Sequence, residues 1–302
     1  MNIKSKIKKA FLLTPLLLIF SAQSVMGSPL TDSPSSDALS AKQALVKKYE
    51  SKYNPNLTEE EKDERSKEVE RKMNQMAASD VPLSVMKATL EQDDIYVLDT
   101  PVIESEVSPF SQAADISMSN VTISYDAQTQ RWTVTGGGSW NNNNWVNDLP
   151  SFFGEWVGTV KNVGSYDTVG FTFYNTSGTA PVMLRSSAYI TDHSGRTLES
   201  TSPSHGDGKK GVAFDYQDNA KLIAVNPSTF TYLGRGFAAS ATYSSTFTNY
   251  HGYARSFYGH TWNTTGISSV SFGGTGSTYG VTINFSSTSN RFPAYSNADK
   301  TF

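Results

Sequence analysis

The chain contains no cysteine. Disulfides, thiolate metal sites and a cysteine-linked lipid anchor are excluded, so stability has to come from a packed core. A long apolar run is missing too. The one candidate, Ala10 to Phe20, spans about eleven residues and is interrupted by Pro15, whereas a helix crossing a ~30 Å hydrocarbon core needs roughly 20. Charge is scarce beyond residue 115: residues 116–302 carry 11 basic and 10 acidic side chains. That balance supplies no basic patch, so no nucleic acid is expected as a partner. It also gives no basis for simple electrostatic attachment to anionic lipid.

The short apolar run follows a basic cluster, Lys4, Lys6, Lys8 and Lys9. Small residues come after it, with Ala22 and Ser24, or Val25 and Gly27, suited to a cleavage site. This order of basic, apolar and small residues predicts a secretory signal peptide over 1–27 and a secreted, extracellular protein. No integral membrane segment is expected after cleavage. Cleavage removes four Lys and leaves 21 basic against 28 acidic side chains, a net charge of −7.

Residues 28–110 read as an acidic helical arm and linker. Ser28 to Ser40 is a flexible start. Leu45, Tyr49 and Tyr53, spaced by four, predict a helix over 41–53 that Pro55 stops. Thr58 is placed as an N-cap with Glu61 completing a capping box, and the helix runs to about Ala78. Its apolar ridge, Val69, Met73 and Met76, is narrow, which predicts a solvated or loosely docked helix. A removable pro-segment or a partner-binding arm is the alternative. Between Ser79 and Ala114, Ile95–Leu98 is a candidate strand in an otherwise linker-like stretch.

Composition changes near residue 110. All five Trp, and every Gly of the 22 except Gly27, lie beyond Ile116. Val121, Ile123 and Tyr125 alternate with hydroxyl residues, as do Val169, Phe171 and Phe173, and Val281, Ile283 and Phe285. A turn at 126–130 and another at Asp192–Gly195 imply hairpins. The expected fold is mainly β, with residues 111–302 forming an antiparallel sandwich or barrel-like domain.

The stretch Phe237–Trp262 looks like the centre of that domain. Phe237, Ala239, Ala241, Tyr243 and Phe247 alternate with Ser240, Thr242, Ser244, Thr246 and Thr248, which predicts one buried and one wet face. Continued to Trp262, this parity buries Tyr253, Arg255 and Phe257 and opens Tyr250, Tyr258, His260 and Trp262. Arg255 then requires a buried carboxylate or carbonyl. The open aromatics form a ledge on which a sugar ring could stack. Trp140 and Trp145, embedded among Asn141–Asn144, form a second candidate glycan surface, since indoles cover apolar sugar faces and amides bond hydroxyls. The other reading is that these two Trp plug one end of the sandwich, with Phe152, Phe153 and Trp156 beside them.

No catalytic set emerges. Gly206, Gly208 and Gly211 match a nucleotide-binding glycine pattern but lack the following helix, so they read as a loop and no cofactor is expected. His251 and His260 differ by an odd number of residues and fall on opposite strand faces, so no histidine metal pair is expected. Asp126, Asp148, Glu155, Asp167, Asp215 and Asp218 are the acids available for general acid–base chemistry, and spacing selects none of them. Most read as turn or surface acids.

The segments Tyr250–Trp262 and Gly211–Tyr216 resemble exported β-rich proteins of Bacillus-type Gram-positive bacteria, over roughly residues 116–302. Freedom from cysteine is also typical of exported proteins of that group. The resemblance implies export; it implies no particular activity and no site residues. The expected function is non-catalytic binding or surface association, with a glycan or cell-wall polymer as the leading ligand class. A secreted hydrolase made with a pro-segment, and a β-pore former, are the alternatives. Oligomeric state is left open.

Overall fold

The structure is a computed structural model that describes residues 36–104, 114–274, 277 and 279–302. The expected signal peptide and residues 105–113 of the expected linker lie outside the described residues. The protein is mainly β, built from two antiparallel sheets that pack as a sandwich, with helices at the N-terminal side. Neither sheet closes into a barrel.

The helices are α1 (Ser36–Lys48), α2 (Glu59–Ala78) and α3 (Leu83–Glu91). The capping box on α2 forms as expected: Glu61 N donates to Thr58 Oγ1, and Thr58 N donates to Glu61 Oε2. Helix α1 begins earlier and ends earlier than expected, and Glu50–Lys52 is a separate 3-10 turn. Helix α3 lies where a linker was expected. Met86 and Leu90, four apart, anchor it against Val69 and Met73 of α2.

The first sheet has six strands in the order β1 (Ile95–Val97), β3 (Ile116–Asp126), β4 (Arg131–Trp140), β10 (Gly236–Tyr243), β6 (Met183–Thr191) and β7 (Thr197–Ser200). The second runs β2 (Val102–Glu104), β15 (Ala298–Thr301), β11 (His251–Thr261), β5 (Val160–Ser177), β8 (Gly211–Val225) and β9 (Ser228–Leu233), with β14 (Arg291–Tyr295) also paired to β11. A separate hairpin, β12 (Ile267–Phe272) and β13 (Val281–Phe285), covers the outside of the second sheet, packing Val270 and Val281 against Phe257 and Ala213. The hairpin turns expected at 126–130 and at Asp192–Gly195 are present.

Between the sheets lies an aromatic core. Phe237 of β10 stacks on Tyr258 of β11 with ring centroids 4.0 Å apart. Gly136 lets the sheets approach: a Cβ there would lie 2.7 Å from Ser256 Cβ, so no side chain fits without displacing β11. At one end of the core, Lys42 of α1 is buried, donates to the carbonyls of Phe247 and Tyr250, and lies 4.6 Å from the centre of the Phe247 ring.

Two expectations are corrected. First, the hydroxyl face of β10 is dry, because α2 lies across it. Ser240 Oγ donates to Asn74 Oδ1 at 2.6 Å, and Thr242 Oγ1 donates to Glu70 Oε1 at 2.8 Å. Glu70 also accepts from Ser187 Oγ and from Arg185 Nε. Arg131 reaches Asp63 at 2.5 Å and Glu59 at 3.0 Å. The apolar ridge of α2 is narrow because this helix docks by hydrogen bonds as much as by area. The described residues from 36 to 302 belong to one compact unit.

Second, Phe237–Trp262 is not one strand. The 3-10 turn Ser245–Asn249 interrupts it, and the chain passes from the first sheet to the second. Parity therefore does not carry over, and both faces of β11 are buried. Arg255 has the partner its burial demands: Nε donates to Asp299 Oδ1 at 2.5 Å.

The α2 interface generates a prediction. Burial pushes the Glu70 carboxyl above its usual range, while Arg185, Thr242 and Ser187 oppose that shift. Removing the carboxylate strands three partners beneath the helix. Glu70→Ala is expected to cost about 3–5 kcal/mol of unfolding free energy in a urea titration. Glu64→Ala, at an exposed position of the same helix, should stay within about 0.5 kcal/mol. Equal small effects would show that α2 is held by its apolar ridge alone.

Candidate functional site: a sealed carboxylate, imidazole and phenol cluster

Strand alternation builds the site. Val169, Phe171 and Phe173 of β5 point into the core, and Asp167 stands two residues before Val169 on the same face. Asp167 is opposite Tyr216 of β8, so Phe214, Tyr216 and Asp218 form a second inward row. On the other side of β5, Gly259 of β11 is opposite Thr168, which brings Tyr258 and His260 into a third row beside Asp167. Two carboxylates, one imidazole and two phenols thus converge from three neighbouring strands.

Asp167 is the hub. Its Oδ2 accepts from Tyr258 Oη at 2.5 Å and lies 2.9 Å from His260 Nδ1. Its Oδ1 accepts from Thr261 N at 2.8 Å. Asp218 Oδ2 accepts from Tyr232 Oη of β9 at 2.5 Å. Aromatic rings close the cluster. Trp140 meets His260 edge-on with centroids 5.1 Å apart, and Trp145 stacks on Tyr232 at 5.0 Å. Trp145 belongs to the 3-10 turn Asn144–Asp148, which also brings Asp148 Oδ2 within 3.4 Å of His260 Nε2, outside hydrogen-bond alignment. The Asp148 side chain is 16% exposed, whereas those of His260 and Asp167 are fully buried.

Among the described residues no Lys or Arg pairs with Asp167 or Asp218, so charge is balanced inside the cluster. Burial pulls the His260 pKa down, but Asp167, Asp148 and Asp218 outweigh it and raise the value to about 10. Burial, followed by the charge of Asp167, pushes the Asp218 carboxyl well above the usual range. The cluster therefore favours an imidazolium at His260 and disfavours ionisation of Asp218. Burial likewise raises the Tyr216, Tyr232 and Tyr258 hydroxyls, which stay protonated. Several buried polar atoms have no hydrogen-bond partner: Tyr216 Oη, His260 Nε2, and Nε1 of both Trp140 and Trp145. Asp167, Asp218 and His260 offer metal-ligating atoms that lie within 4.8 Å of one another.

An Asp–His pair of this kind can orient an imidazole for general-base work. Here the imidazole is sealed. Two shallow clefts lie along α2, and none of their lining residues belongs to the cluster.

The residues expected to form glycan surfaces are placed differently. Trp140, Trp145, Tyr250, Tyr258 and His260 are all buried. Trp140 and Trp145 pack inward, against His260 and Tyr232. Tyr250 packs near the opposite end, where its Oη donates to Lys209 O. Trp262 is half-buried and stacks on His260 at 5.5 Å. The open ledge of Tyr250, Tyr258, His260 and Trp262 does not exist, because that parity faces the core. Phe153 and Trp156, expected in the plug, instead stand in solvent, 98% and 83% exposed. Spacing alone singles out neither Asp167 nor Asp218 among the acids of the chain. Their phase with Val169 and Phe214 is the signal that assigns them inward.

A pH dependence follows from His260. Its pKa is about 10 in the fold against an ordinary 6.5. Its contribution to stability is therefore complete below about 6.5 and is lost as pH rises through about 10. In chelator-treated protein, the difference in Tm between the wild type and His260→Gln is expected to shrink from neutrality to about 10. A difference that stays constant or widens would mean that the buried imidazole is neutral. No protein-family model matches the chain, and no curated protein matches it.

Proposed function

We propose that the protein is an exported, non-catalytic binding protein that contacts a glycan or cell-envelope polymer through the loop spanning 150–160. The observation that carries this reading is the near-complete exposure of Phe153 and Trp156, in a chain that buries most of its other large aromatics. Leaving such side chains in water forgoes roughly 1.5–3 kcal/mol for each. The loop is held firmly at its base. Lys161 donates to Ser151 O at 2.8 Å, pairs with Glu155 at 2.6 Å and lies 5.2 Å from the centre of the Phe152 ring. Phe152 packs on Phe230 at 5.0 Å, and Gly158 N donates to Leu222 O at 2.8 Å. Gly154 and Gly158 have φ of 76° and 100° and turn the chain on either side of Trp156. A pre-ordered tip with two presented rings suits a repeating saccharide, whose apolar faces stack on aromatics. It loses little conformational entropy on binding.

Export is supported by the basic and apolar N-terminal pattern and by the absence of cysteine. The non-catalytic part of the reading is supported by the sealed state of His260. Retention on insoluble polysaccharides and purified cell walls tests the proposal. Phe153→Ala and Trp156→Ala are each expected to weaken retention by about 1–3 kcal/mol, roughly 5- to 150-fold, with Tm unchanged. Retention that is unchanged in both variants overturns it. Binding to phosphatidylcholine vesicles in place of polysaccharide would overturn it as well, reassigning the loop to a lipid interface.

A further inference from the structure

The inner cluster holds more than a fold requires. Asp167 has an evident structural part, since it ties β5 to β11 through Thr261 N and the Tyr258 hydroxyl. Asp218 has none of comparable weight. Beyond Tyr232, its side chain meets its own backbone amide and, at 3.5 Å, Gln217 Nε2, and it bonds no backbone group of another strand among the described residues. Two carboxylates are buried beside one imidazole, and among the described residues no Lys or Arg pairs with either of them. A second buried carboxylate beside a single imidazolium is costly to ionise. A dication removes that cost, because two carboxylates, a neutral imidazole and a doubly charged ion sum to zero.

We propose that Asp167, Asp218 and His260 form a site for a divalent first-row transition ion, with zinc as the best-fitting ion. The three residues offer one donor atom each within a 4.8 Å span. A second observation points to the same ligand. Tyr216 Oη is fully enclosed, sits beside Tyr258 without the alignment of a hydrogen bond, and senses the charges of Asp167 and Asp218. It offers an unsatisfied oxygen beside the three ligands, toward a bound ion or a water that completes its four-coordinate shell. His260 Nε2 is likewise enclosed and makes no aligned hydrogen bond, with Asp148 Oδ2 3.4 Å away.

The surroundings suit an ion. Outer hydrogen bonds already orient the ligands, from Tyr258 and Thr261 to Asp167 and from Tyr232 to Asp218. The rings of Trp140, Phe292 and Trp262 surround His260 and keep water out. Asp148, partly exposed and facing His260, marks the route by which an ion would enter. The donor set selects the ion class. Calcium wants six to eight oxygens, more than this enclosure offers, and one imidazole with two carboxylates suits a borderline ion. Other acids on the molecule are already matched, such as Glu59 and Asp63 with Arg131, or Asp192 with Arg196.

The test uses the full exported chain, stripped with chelator and titrated with zinc chloride, with calcium chloride as the control. Bound zinc is measured by mass spectrometry after gel filtration, and Tm is followed alongside. One retained zinc per chain is expected. Tm should rise by roughly 5–10 °C at about a hundred times Kd, with no response to calcium. Asp218→Asn and His260→Gln should abolish both effects, while His205→Gln, which alters the half-buried His205–Asp215 pair, should retain them. Should the inner variants fail to fold, the wild-type stoichiometry and Tm response decide alone. No retained zinc, or no rise in Tm, overturns the proposal. Zinc that survives Asp218→Asn but is lost in His205→Gln also overturns it, as an adventitious ion only.

Discussion

Both faces of the two central strands are dry, and the rest of the structure answers to that constraint. In β10, Phe237, Ala239, Ala241 and Tyr243 face the other sheet while Ala238, Ser240 and Thr242 lie beneath α2. In β11, Ala254, Tyr258 and His260 face inward while Arg255 and Phe257 lie beneath added elements. A strand buried twice cannot leave polar side chains to water, and each unsatisfied one costs about 1–3 kcal/mol. The chain supplies partners from far away in sequence. Asn74 and Glu70 serve Ser240 and Thr242, and Asp299 serves Arg255. The same requirement accounts for Lys42, which brings α1 onto two carbonyls that follow β10. With no disulfide to tie these segments together, long-range hydrogen bonds to buried partners do that work.

One short region, 140–162, joins the two candidate activities. Its first half points inward: Trp140 and Trp145 pack over the cluster, and Asp148 faces His260. Its second half points outward, presenting Phe153 and Trp156. Lys161 and Phe152 fasten the outward half to β5 and β9. An ion in the cluster would brace the turn that carries Trp145, and that turn leads directly into the exposed loop. The two proposals remain separable, because no residue of the loop tip touches the cluster.

Much of this fold is legible in the sequence. The capping box at Thr58 is a local signal and forms as read. The hairpin at 126–130 and the inward rows of β5 and β13 follow from alternation. The need of Arg255 for a buried carboxylate is readable too, since burial of a charge carries its own demand; that the partner is Asp299 is not. Losses occur where tertiary contact overrides local pattern. Hydroxyl side chains at 240 and 242 look wet until a polar helix is laid on them. Parity fails across Ser245–Asn249 because the chain changes sheets there, and no pattern in five polar and aromatic residues announces that crossing. Helix α3 is hidden because only Met86 and Leu90 anchor it.

The site was less legible than the fold, for a reason particular to Asp218. Alternation places Val212, Phe214 and Tyr216 inward, and strict phase puts Asp218 with them. A carboxylate at the end of an apolar row is ordinarily taken as the point where a strand meets solvent. Here the row continues through Ala220 and Leu222, both buried, so the acid stands in the middle of an inward face. That position discriminates between explanations. An acid at a strand end costs little and needs no account. An acid within a buried row, with apolar residues on both sides, stands where a hydrophobic residue of similar volume would be neutral or stabilising. Asp167 escapes that objection because it bridges strands through a backbone amide. Asp218 does not: among the described residues no Lys or Arg pairs with it, and its short hydrogen bond comes from the Tyr232 phenol. The asymmetry between these two carboxylates therefore separates a cluster that merely holds strands together from one arranged around something it binds.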